Sequence, residues 1–482
     1  MEFNNRVLII GYGSVSKCTL PILLKHIKIP YKNITIIDFV DKKKELKEWT
    51  DKGINYLQEK VTIENMPRVL AKHTGPGGLI TDLAWNIGCL DIITWCHENN
   101  VLYVNTSVEL WDPYKDVDKQ TPYERSLYYR HMQIREAIKD WPKDSATAVL
   151  DHGANPGLIS HFVKQGLIDI ANRLIFDKKV TKNDATALHR LIKENNFAEL
   201  AMKLNIKVIH CSERDTQRTN KPKEVDEFVG TWSVEGLREE GTAPAEMGWG
   251  THEKEIPKYA AIPPEGPKNQ IFLSQMGMNT WVRSWVPNYD IIGCVIRHGE
   301  SFTISERLAV WKNGKAIFRP TVHYAYMLCD ESIASLQELR ARSYELQERW
   351  RIMNDEIIDG ADILGALLMG HAYKSWWTGS DLSVEESRKL VPHQNATTMQ
   401  VAIGVVTAIM WMIENPKKGV CVPDDLPHEF VLKIAKPYLG KFISEPYDWT
   451  PLKNYPRFFM NKTENHPDES DPWQFKNFLL KV

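Results

Sequence analysis

The amino-acid sequence predicts an α/β fold: a doubly wound parallel sheet, followed by a second α+β domain with a mostly antiparallel sheet. Two patterns support this fold class. From residue 7 to residue 106, short apolar strands alternate with helices, a spacing typical of parallel strands. From about residue 160 to 330, short β-rich runs are separated by turns of Gly, Pro and Asn, which is typical of antiparallel strands. With 482 residues, the chain is long enough for two or three domains.

The first predicted strand ends in a pair of glycines that open a helix. Gly11 permits a tight turn, and Gly13 lets the backbone approach a phosphate whose charge is met by the positive end of the helix. Ser16 stands where the dinucleotide-binding (Rossmann-type) fingerprint has its third glycine, and Ser is small enough to keep helix and strand close. We predict that Gly11, Gly13, Ser14 and Val15 bind the pyrophosphate of a dinucleotide.

The second predicted strand ends in an acid, Asp38, 25 residues beyond Gly13. A carboxylate there accepts hydrogen bonds from the ribose hydroxyls and repels a 2′-phosphate, so we expect NAD rather than NADP. Polar residues also follow later strands, and we assign them to the cofactor site: Thr81, Asp82, Asn105 and Thr106. One such residue alone is more often a turn or a helix cap, so the assignment depends on their recurrence at successive strand ends.

Composition excludes several other classes of protein. The formal net charge is −2 without a basic stripe, which argues against nucleic-acid binding. We see no signal peptide and no apolar run of the roughly 18 residues that a membrane span needs. The seven cysteines are scattered without a C-x-x-C pair, which predicts no metal site and suits a cytoplasmic protein.

We divide the chain into three parts: a nucleotide-binding domain (1–152), a substrate-binding α+β domain (153–378), and C-terminal helices and loops that pack back on the first domain (379–482). In the second part we predict a helix over residues 184–204, strands over 231–234 and 306–311, and helical structure from 332 to 372. In the third part we predict a long apolar helix over residues 395–414 and loops over the last 40 residues.

The second part carries acids and aromatics in tight clusters, at residues 211–215, 230–236 with Glu240, and 296–300. Several carboxylates and a Trp beside a nicotinamide suit a polycationic amine, because carboxylates bind ammonium groups and an indole face stabilises a positive iminium carbon. Taken singly, each of these residues is more simply a surface Glu or a core Trp.

The same clusters belong to longer motifs: GYGSV at 11–15, HGANPGLISHFVKQ at 152–165, ERDTQ at 213–217, TWSVEG at 231–236, PAEMGWGTHE at 244–253, RHGE at 297–300 and NATTMQV at 395–401. On these residues the chain resembles the bacterial homospermidine synthase family over nearly its whole length. That family is similar in fold to saccharopine dehydrogenases. The resemblance implies a homodimer, with dimerisation through the second domain, and NAD held as a tightly bound prosthetic group.

The resemblance also implies a redox-neutral reaction on diamines and polyamines. One putrescine gives a hydride to NAD⁺ and becomes an imine, a second putrescine attacks that carbon, ammonia leaves, and NADH reduces the new imine to homospermidine. Spermidine can replace the first putrescine, in which case 1,3-diaminopropane is released.

Roles follow for seven residues of this chain. Trp232 would lie against the reacting carbon, and Glu240 would accept protons at the central nitrogen. Glu109 would draw cations toward the site. The inner amino group would be fixed by Glu213, Asn155, His298 and Glu300. Two alternatives stay open: a saccharopine-type amine or amino-acid dehydrogenase that exchanges NAD at each turnover, and a non-catalytic nucleotide sensor.

Overall fold

The first part of the chain alternates strands and helices, as predicted. The computed structural model describes residues 1–455 and 466–480. Its elements up to residue 149 are β1 (Val7–Ile10), α1 (Ser14–His26), β2 (Ile34–Asp38), α2 (Lys47–Asp51), β3 (Asn55–Gln58), α3 (Met66–His73), β4 (Leu79–Asp82), α4 (Cys89–Glu98), β5 (Leu102–Asn105), α5 (Leu127–Ile138) and β6 (Ala148–Val149). The core strands β1, β2, β4 and β5 are buried along their whole length, because helices cover both faces of the sheet.

The rest of the chain begins with helices and continues with short strands. Its elements are α6 (Leu158–Phe176), α7 (Lys182–Lys193), α8 (Phe197–Lys203), β7 (Val208–Asp215), β8 (Arg218–Thr219), β9 (Glu227–Gly230), α9 (Val234–Thr242), β10 (Pro244–Gly248), β11 (Ala260–Ala261), β12 (Gln270–Met276), β13 (Trp281–Val286), β14 (Tyr289–Cys294), α10 (Gly299–Arg307), β15 (Val310–Lys312), β16 (Lys315–Phe318), β17 (Thr321–Met327), α11 (Asp330–Ala341), β18 (Arg349–Ile352), β19 (Ile357–Asp359), β20 (Ala361–His371), β21 (Lys374–Ser383), α12 (Val384–Leu390), α13 (Ala396–Glu414), β22 (Val420–Cys421), α14 (His428–Ala435), β23 (Lys441–Tyr447) and α15 (Phe475–Phe478).

Two large sheets organise these elements. The first has seven strands in the order β22-β6-β5-β4-β1-β2-β3, and every pairing in it is parallel. The second has ten strands, with the path β11-β12-β10-β17-β7-β20-β21-β23 and β13 and β14 beside it. All its pairings are antiparallel except that of β17 with β7. The predicted fold class is therefore confirmed.

The C-terminal part of the chain contributes to both sheets. The strand β22 pairs with β6 at the edge of the first sheet, and α13 packs against α1, β5 and β6. The strand β23 pairs with β21 in the second sheet. Because β21 runs from Lys374 to Ser383, the expected boundary after residue 378 lies inside a strand.

The helix α13 corrects our reading of the composition. By length and apolar composition it could span a membrane, which we did not expect of any segment. In the structure 83% of the apolar window of this helix is buried against the protein. It is the only helix of this kind in the described part of the chain, and it serves as a core helix between the first sheet and α14.

Three local predictions were wrong at places where a helix begins or ends. The helix over 184–204 is interrupted at Asn195, whose φ is +52°, and Asn196 then caps α8 by accepting a hydrogen bond from the N–H of Glu199. The strand over 231–234 is absent, because Ser233 caps α9. The strand over 306–311 is displaced, since α10 continues to Arg307.

The largest error concerns residues 332–372. The helix α11 ends at Ala341, and three strands, β18 to β20, follow where we expected helix. The strand β20 lies between β7 and β21, and its residues 362–369 are all buried. A strand buried on both faces has a nearly continuous apolar sequence, which cannot be told from a buried helix by its periodicity.

Candidate active site

The loop after β1 has the geometry of a phosphate-binding turn. Gly11 has φ +86°, and a Cβ there would lie 3.0 Å from the carbonyl oxygen of Leu83, so only glycine fits. A Cβ on Gly13 would meet nothing within 4 Å. The open side of Gly13 is therefore where a phosphate can approach the backbone.

The N-terminus of α1 is free to meet an anion. Gly13 precedes the helix without a side-chain cap, and Ser14 and Val15 begin its first turn, which holds no acid. The buried hydroxyl of Ser14 has no hydrogen-bond partner. The hydroxyl of Ser16 donates to the carbonyl of Gly11 at 2.6 Å, so the residue in place of the third glycine supports the loop.

Asp38, at the end of β2, faces the same loop. Its carboxylate accepts hydrogen bonds from the backbone N–H groups of Tyr12 at 2.7 Å and Val40 at 2.8 Å. Beside it lie two exposed aromatic residues that the sequence analysis did not single out. The rings of Phe39 and Trp85 meet edge to face, with centroids 6.0 Å apart.

The polar strand-end residues have different environments. The hydroxyl of Thr81 is buried and has no partner. Burial raises the pKa of Asp82 to about 7. Asn105 accepts a hydrogen bond from the N–H of Asp151 at 2.8 Å, so it holds the start of the turn into the second part of the chain. Thr106 is half-buried at the same edge.

That turn presents Asn155. Gly157 has φ +133°, and a Cβ there would collide with the carbonyl of Gly153, so the tight turn requires glycine. The side-chain N–H₂ of Asn155 donates to Oε2 of Glu213, on β7, at 2.7 Å.

Three buried carboxyl groups lie side by side on β7 and β20. Glu213 accepts a hydrogen bond from Tyr324 Oη, and burial, partly offset by this bond, raises its pKa to about 7. Asp215 lies opposite Asp362 in the strand register. Asp362 accepts from Thr397 Oγ1 at 2.6 Å, its other oxygen has no partner, and burial together with Glu213 raises its pKa well above the ordinary value.

A second group of charges centres on His298, the N-cap residue of α10. Its Nε2 lies 3.1 Å from Glu240 and its Nδ1 lies 3.3 Å from Glu300. Burial lowers the pKa of His298, but the two carboxylates outweigh burial and raise it to about 10. The ring of His298 also lies 4.3 Å from that of Tyr324, which joins this group to Glu213.

Trp232 adjoins both groups through a pair of tyrosines. Its indole N–H donates to Tyr326 Oη at 3.2 Å, and the rings of Tyr326 and Tyr324 lie parallel, 5.2 Å apart. We call the following residues the carboxylate site: Asn155, Glu213, Trp232, Glu240, His298, Glu300 and Asp362.

Glu109 lies on the loop after β5, which is tied to α4 by a hydrogen bond from the N–H of Cys89 to the Glu109 carbonyl at 3.1 Å. Burial and the nearby Glu239 raise the pKa of Glu109 to about 7. Glu239 is itself bound by Arg130 at 2.6 Å and by Arg297. These two guanidinium groups are therefore already paired.

The structure thus brings together six of the predicted residues, and it adds Asp362, Asp215, Tyr324 and Tyr326. Asp362 is recognisable in the sequence as an acid within an apolar stretch, but we predicted a helix there and assigned it no role. Within residues 1–455 and 466–480, no group of three or more His, Cys, Asp and Glu side chains is arranged to hold a metal ion.

Comparison with known proteins gives relatives for both halves of the chain. Residues 7–149 match the model of the saccharopine dehydrogenase NADP binding domain, and residues 153–447 match that of the saccharopine dehydrogenase C-terminal domain. The homospermidine synthase of Blastochloris viridis is 40% identical, with 98% of this chain and 97% of the relative covered. That of Mesorhizobium japonicum is 38% identical, with 100% and 97% covered.

A solved structure is similar over the same length. The crystal structure of homospermidine synthase from Legionella pneumophila, in complex with NAD, has a TM-score of 0.88 and 36% identity, with 100% of this chain and 99% of that chain covered. The similarity spans the glycine loop and the carboxylate site alike. The chain therefore belongs to the homospermidine synthase family, which shares its domains with the saccharopine dehydrogenases.

Proposed function

We propose that the protein is a homospermidine synthase that joins two putrescines, or spermidine and putrescine, by NAD-dependent aminobutyl transfer. The observation that carries the proposal is the charge of the carboxylate site. Acids line it from three directions, with Glu213 on β7 and Glu300 on α10 buried and Glu240 on α9 half-buried, and His298 is the cation among them. An amine with several ammonium groups supplies the charges that such a site lacks.

The residues around the glycine loop fit NAD. Gly11 permits the tight turn, Gly13 leaves room for the pyrophosphate, and the unpartnered hydroxyl of Ser14 lies at the same helix end. Asp38 would bind the adenosine ribose, and its charge disfavours a 2′-phosphate although the matched family model is named for NADP. Phe39 and Trp85 offer apolar faces for the adenine.

When bound, NAD would supply reversible hydride transfer, so that the carbon beside an amino group is oxidised to an imine, exchanges ammonia for the second amine, and is reduced again as a new imine. The chain's own residues would hold the charges during this sequence. Glu213, supported by Asn155, would bind the inner ammonium group together with Glu300, and His298 would help to fix that group by orienting the Glu300 and Glu240 carboxylates on either side of its ring. The Trp232 indole face would stabilise the iminium carbon by roughly 1 to 2 kcal/mol.

Proton transfer falls to Glu240. Burial raises its pKa, while the charge of His298 and the hydrogen bond to it lower the pKa again. A carboxylate with a raised pKa can accept a proton from the central nitrogen and give it to a leaving amine. Glu109, at the loop after β5, would attract cations toward the site when it is ionised, which its pKa of about 7 allows at neutral and higher pH.

The runner-up function is a saccharopine-type dehydrogenase. An amino-acid substrate needs a cation for its α-carboxylate, but Arg130 and Arg297 are both paired with Glu239. This pairing favours an amine substrate. A non-catalytic nucleotide sensor would not need the buried carboxylates at all, because burying unpaired acids costs folding free energy.

The test is incubation of the purified protein with putrescine. We expect homospermidine and ammonia in equal amounts without net NADH, whereas NADH that accumulates in solution would favour the dehydrogenase.

Trp232→Phe should keep part of the activity and Trp232→Ala almost none; full activity in Trp232→Ala would rule out the cation–π role. Dialysed protein should keep its NAD, and gel filtration should give a homodimer.

A further inference from the structure

The strand β17 carries two tyrosines, Tyr324 and Tyr326, that none of the assigned roles uses. They are two residues apart, so their side chains stand on the same face of the sheet. Both are almost completely buried, at 3% and 2% exposure, and their rings lie parallel within 3° at a centroid distance of 5.2 Å. The two rings therefore pack side by side in a buried environment, which restricts the rotation of each.

The first tyrosine, Tyr324, forms a hydrogen bond with the buried Glu213. Tyr324 Oη donates to Oε2 of Glu213 and accepts from the side-chain N–H₂ of Asn155 at 2.5 Å. Burial and the charge of Glu213 raise the pKa of Tyr324 well above its ordinary value, so the hydroxyl stays a donor. A hydrogen bond to a carboxylate favours the ionised form of that carboxylate.

The second tyrosine, Tyr326, forms a hydrogen bond with the indole of Trp232. Tyr326 Oη accepts the hydrogen bond from Trp232 Nε1 at 3.2 Å, while the far edge of the indole lies over Gly236. A Cβ on Gly236 would come within 3.0 Å of Trp232 Cζ3. The indole is therefore held at its polar end and at its opposite edge, which sets the direction of its face.

We propose that Tyr324 and Tyr326 are a pair of positioning residues for the transfer reaction: Tyr324 keeps Glu213 ionised toward the substrate ammonium, and Tyr326 keeps the Trp232 face toward the reacting carbon. This inference rests on the proposed function. Because the stacked rings fix the two hydroxyls relative to each other, one strand sets the geometry of both the ammonium-binding carboxylate and the indole.

The pH dependence of kcat/KM distinguishes the role of Tyr324 from that of Tyr326, because the hydroxyl of Tyr324 is the one that donates to Glu213. The ionisable groups around it lie on β7, β17, β20 and α10: Cys211, Asp215, Tyr324, Tyr326, Asp362, His298 and Glu300. Burial raises the pKa of Glu213 to about 7, so kcat/KM for putrescine should fall as the pH drops through about 7, where protonation removes the charge proposed to attract ammonium. Without the Tyr324 hydroxyl, the charged form loses a donor, and this acid limb should move to higher pH.

The experiment compares Tyr324→Phe, Tyr326→Phe and the control Tyr128→Phe in pH profiles of kcat/KM. Tyr128 is equally buried, but its hydroxyl donates to the Glu265 carbonyl away from the carboxylate site. We expect Tyr324→Phe to lower kcat/KM at pH 7 about tenfold with the acid limb shifted upward, and Tyr326→Phe to lower kcat several-fold with the limb unmoved. An unmoved limb in Tyr324→Phe would overturn its role.

Paired backgrounds test whether each tyrosine acts through its partner. In Trp232→Phe, which has no indole N–H, adding Tyr326→Phe should change kcat no further; in Glu213→Gln, adding Tyr324→Phe should leave the pH profile unchanged. Additive losses would show a merely structural role and overturn the proposal. If Tyr324→Phe does not fold, Asn155→Ala removes the other donor to Glu213 and should shift the limb in the same direction.

These results stay distinct from a failure of the proposed function. If the wild-type protein makes no homospermidine from putrescine, the proposed function fails before any variant is compared. If it does make homospermidine but the tyrosine variants behave like Tyr128→Phe, only the positioning role fails.

Discussion

The glycine loop and the carboxylate site offer opposite kinds of binding surface. Around Gly11 and Gly13 the protein offers backbone N–H groups, a helix end and empty space, and its residues follow one another in the sequence. The carboxylate site offers charged side chains, most of them buried, on two strands and two helices, together with Asn155 on a turn, and its residues are up to 207 positions apart in the chain. A contiguous loop is recognisable from its sequence, whereas a site built from distant side chains is recognisable only by likeness or by structure.

The largest effect should come from removing a charge in the carboxylate site. Glu213→Gln leaves the shape of the site but removes the charge that we propose binds ammonium, so we expect kcat/KM for putrescine to fall about 100- to 1,000-fold. The bound NAD, measured by absorbance of the released nucleotide, should not change. The matched control is Glu348→Gln, at an exposed position of the same part of the chain. If Glu213→Gln also lost its NAD, the two sites would not be independent.

A smaller effect should come from filling the space beside Gly13. This residue has φ −83° and ψ −164°, which alanine adopts without strain, and a Cβ there meets no protein atom. Gly13→Ala should therefore keep the Tm of the NAD-free protein but weaken NAD binding about 10- to 100-fold, because the methyl group takes the place of the phosphate. Gly11→Ala should lower the Tm as well, since its positive φ and its contact with Leu83 exclude a side chain.

Calorimetric titration of the NAD-free variants would measure their NAD affinity, and scanning calorimetry would measure their Tm. Unchanged NAD affinity in Gly13→Ala would contradict the assignment of the loop.

The smallest effect should come from the aromatic pair beside Asp38. Trp85→Ala removes one apolar face for the adenine, and we expect NAD affinity to fall about two- to tenfold with kcat at saturating NAD unchanged. Trp311→Ala is the matched control, because Trp311 is also a half-exposed indole but lies on β15. An equal NAD affinity in Trp85→Ala and Trp311→Ala would remove the pair from the nucleotide site.

Elements up to residue 106, whose structure depends on nearby residues, were predicted correctly, whereas β20, whose structure depends on distant parts of the chain, was predicted wrongly. The parallel alternation up to residue 106 was predicted well, because each strand there is followed by its own turn and helix. Residues 361–371 were read as helix because β20 is apolar on both faces, a property that comes from its place between β7 and β21. That misreading also hid Asp362, because its position opposite Asp215 follows only from the pairing of β20 with β7.

Local chemistry within the sequence was enough to determine the glycine turn after the first strand, the acid at Asp38 and the alternation of strands and helices in the first sheet, because backbone conformation and turn residues act over a few positions. Only the tertiary structure decided which acids meet. The pairing of β7 with β17 and β20 brings Tyr324, Tyr326 and Asp362 beside Glu213, and the helix that begins after His298 brings Glu300 toward Glu240. The reason is physical: strand register and burial, which set these distances and raise the pKa values of the acids, are properties of the packed chain.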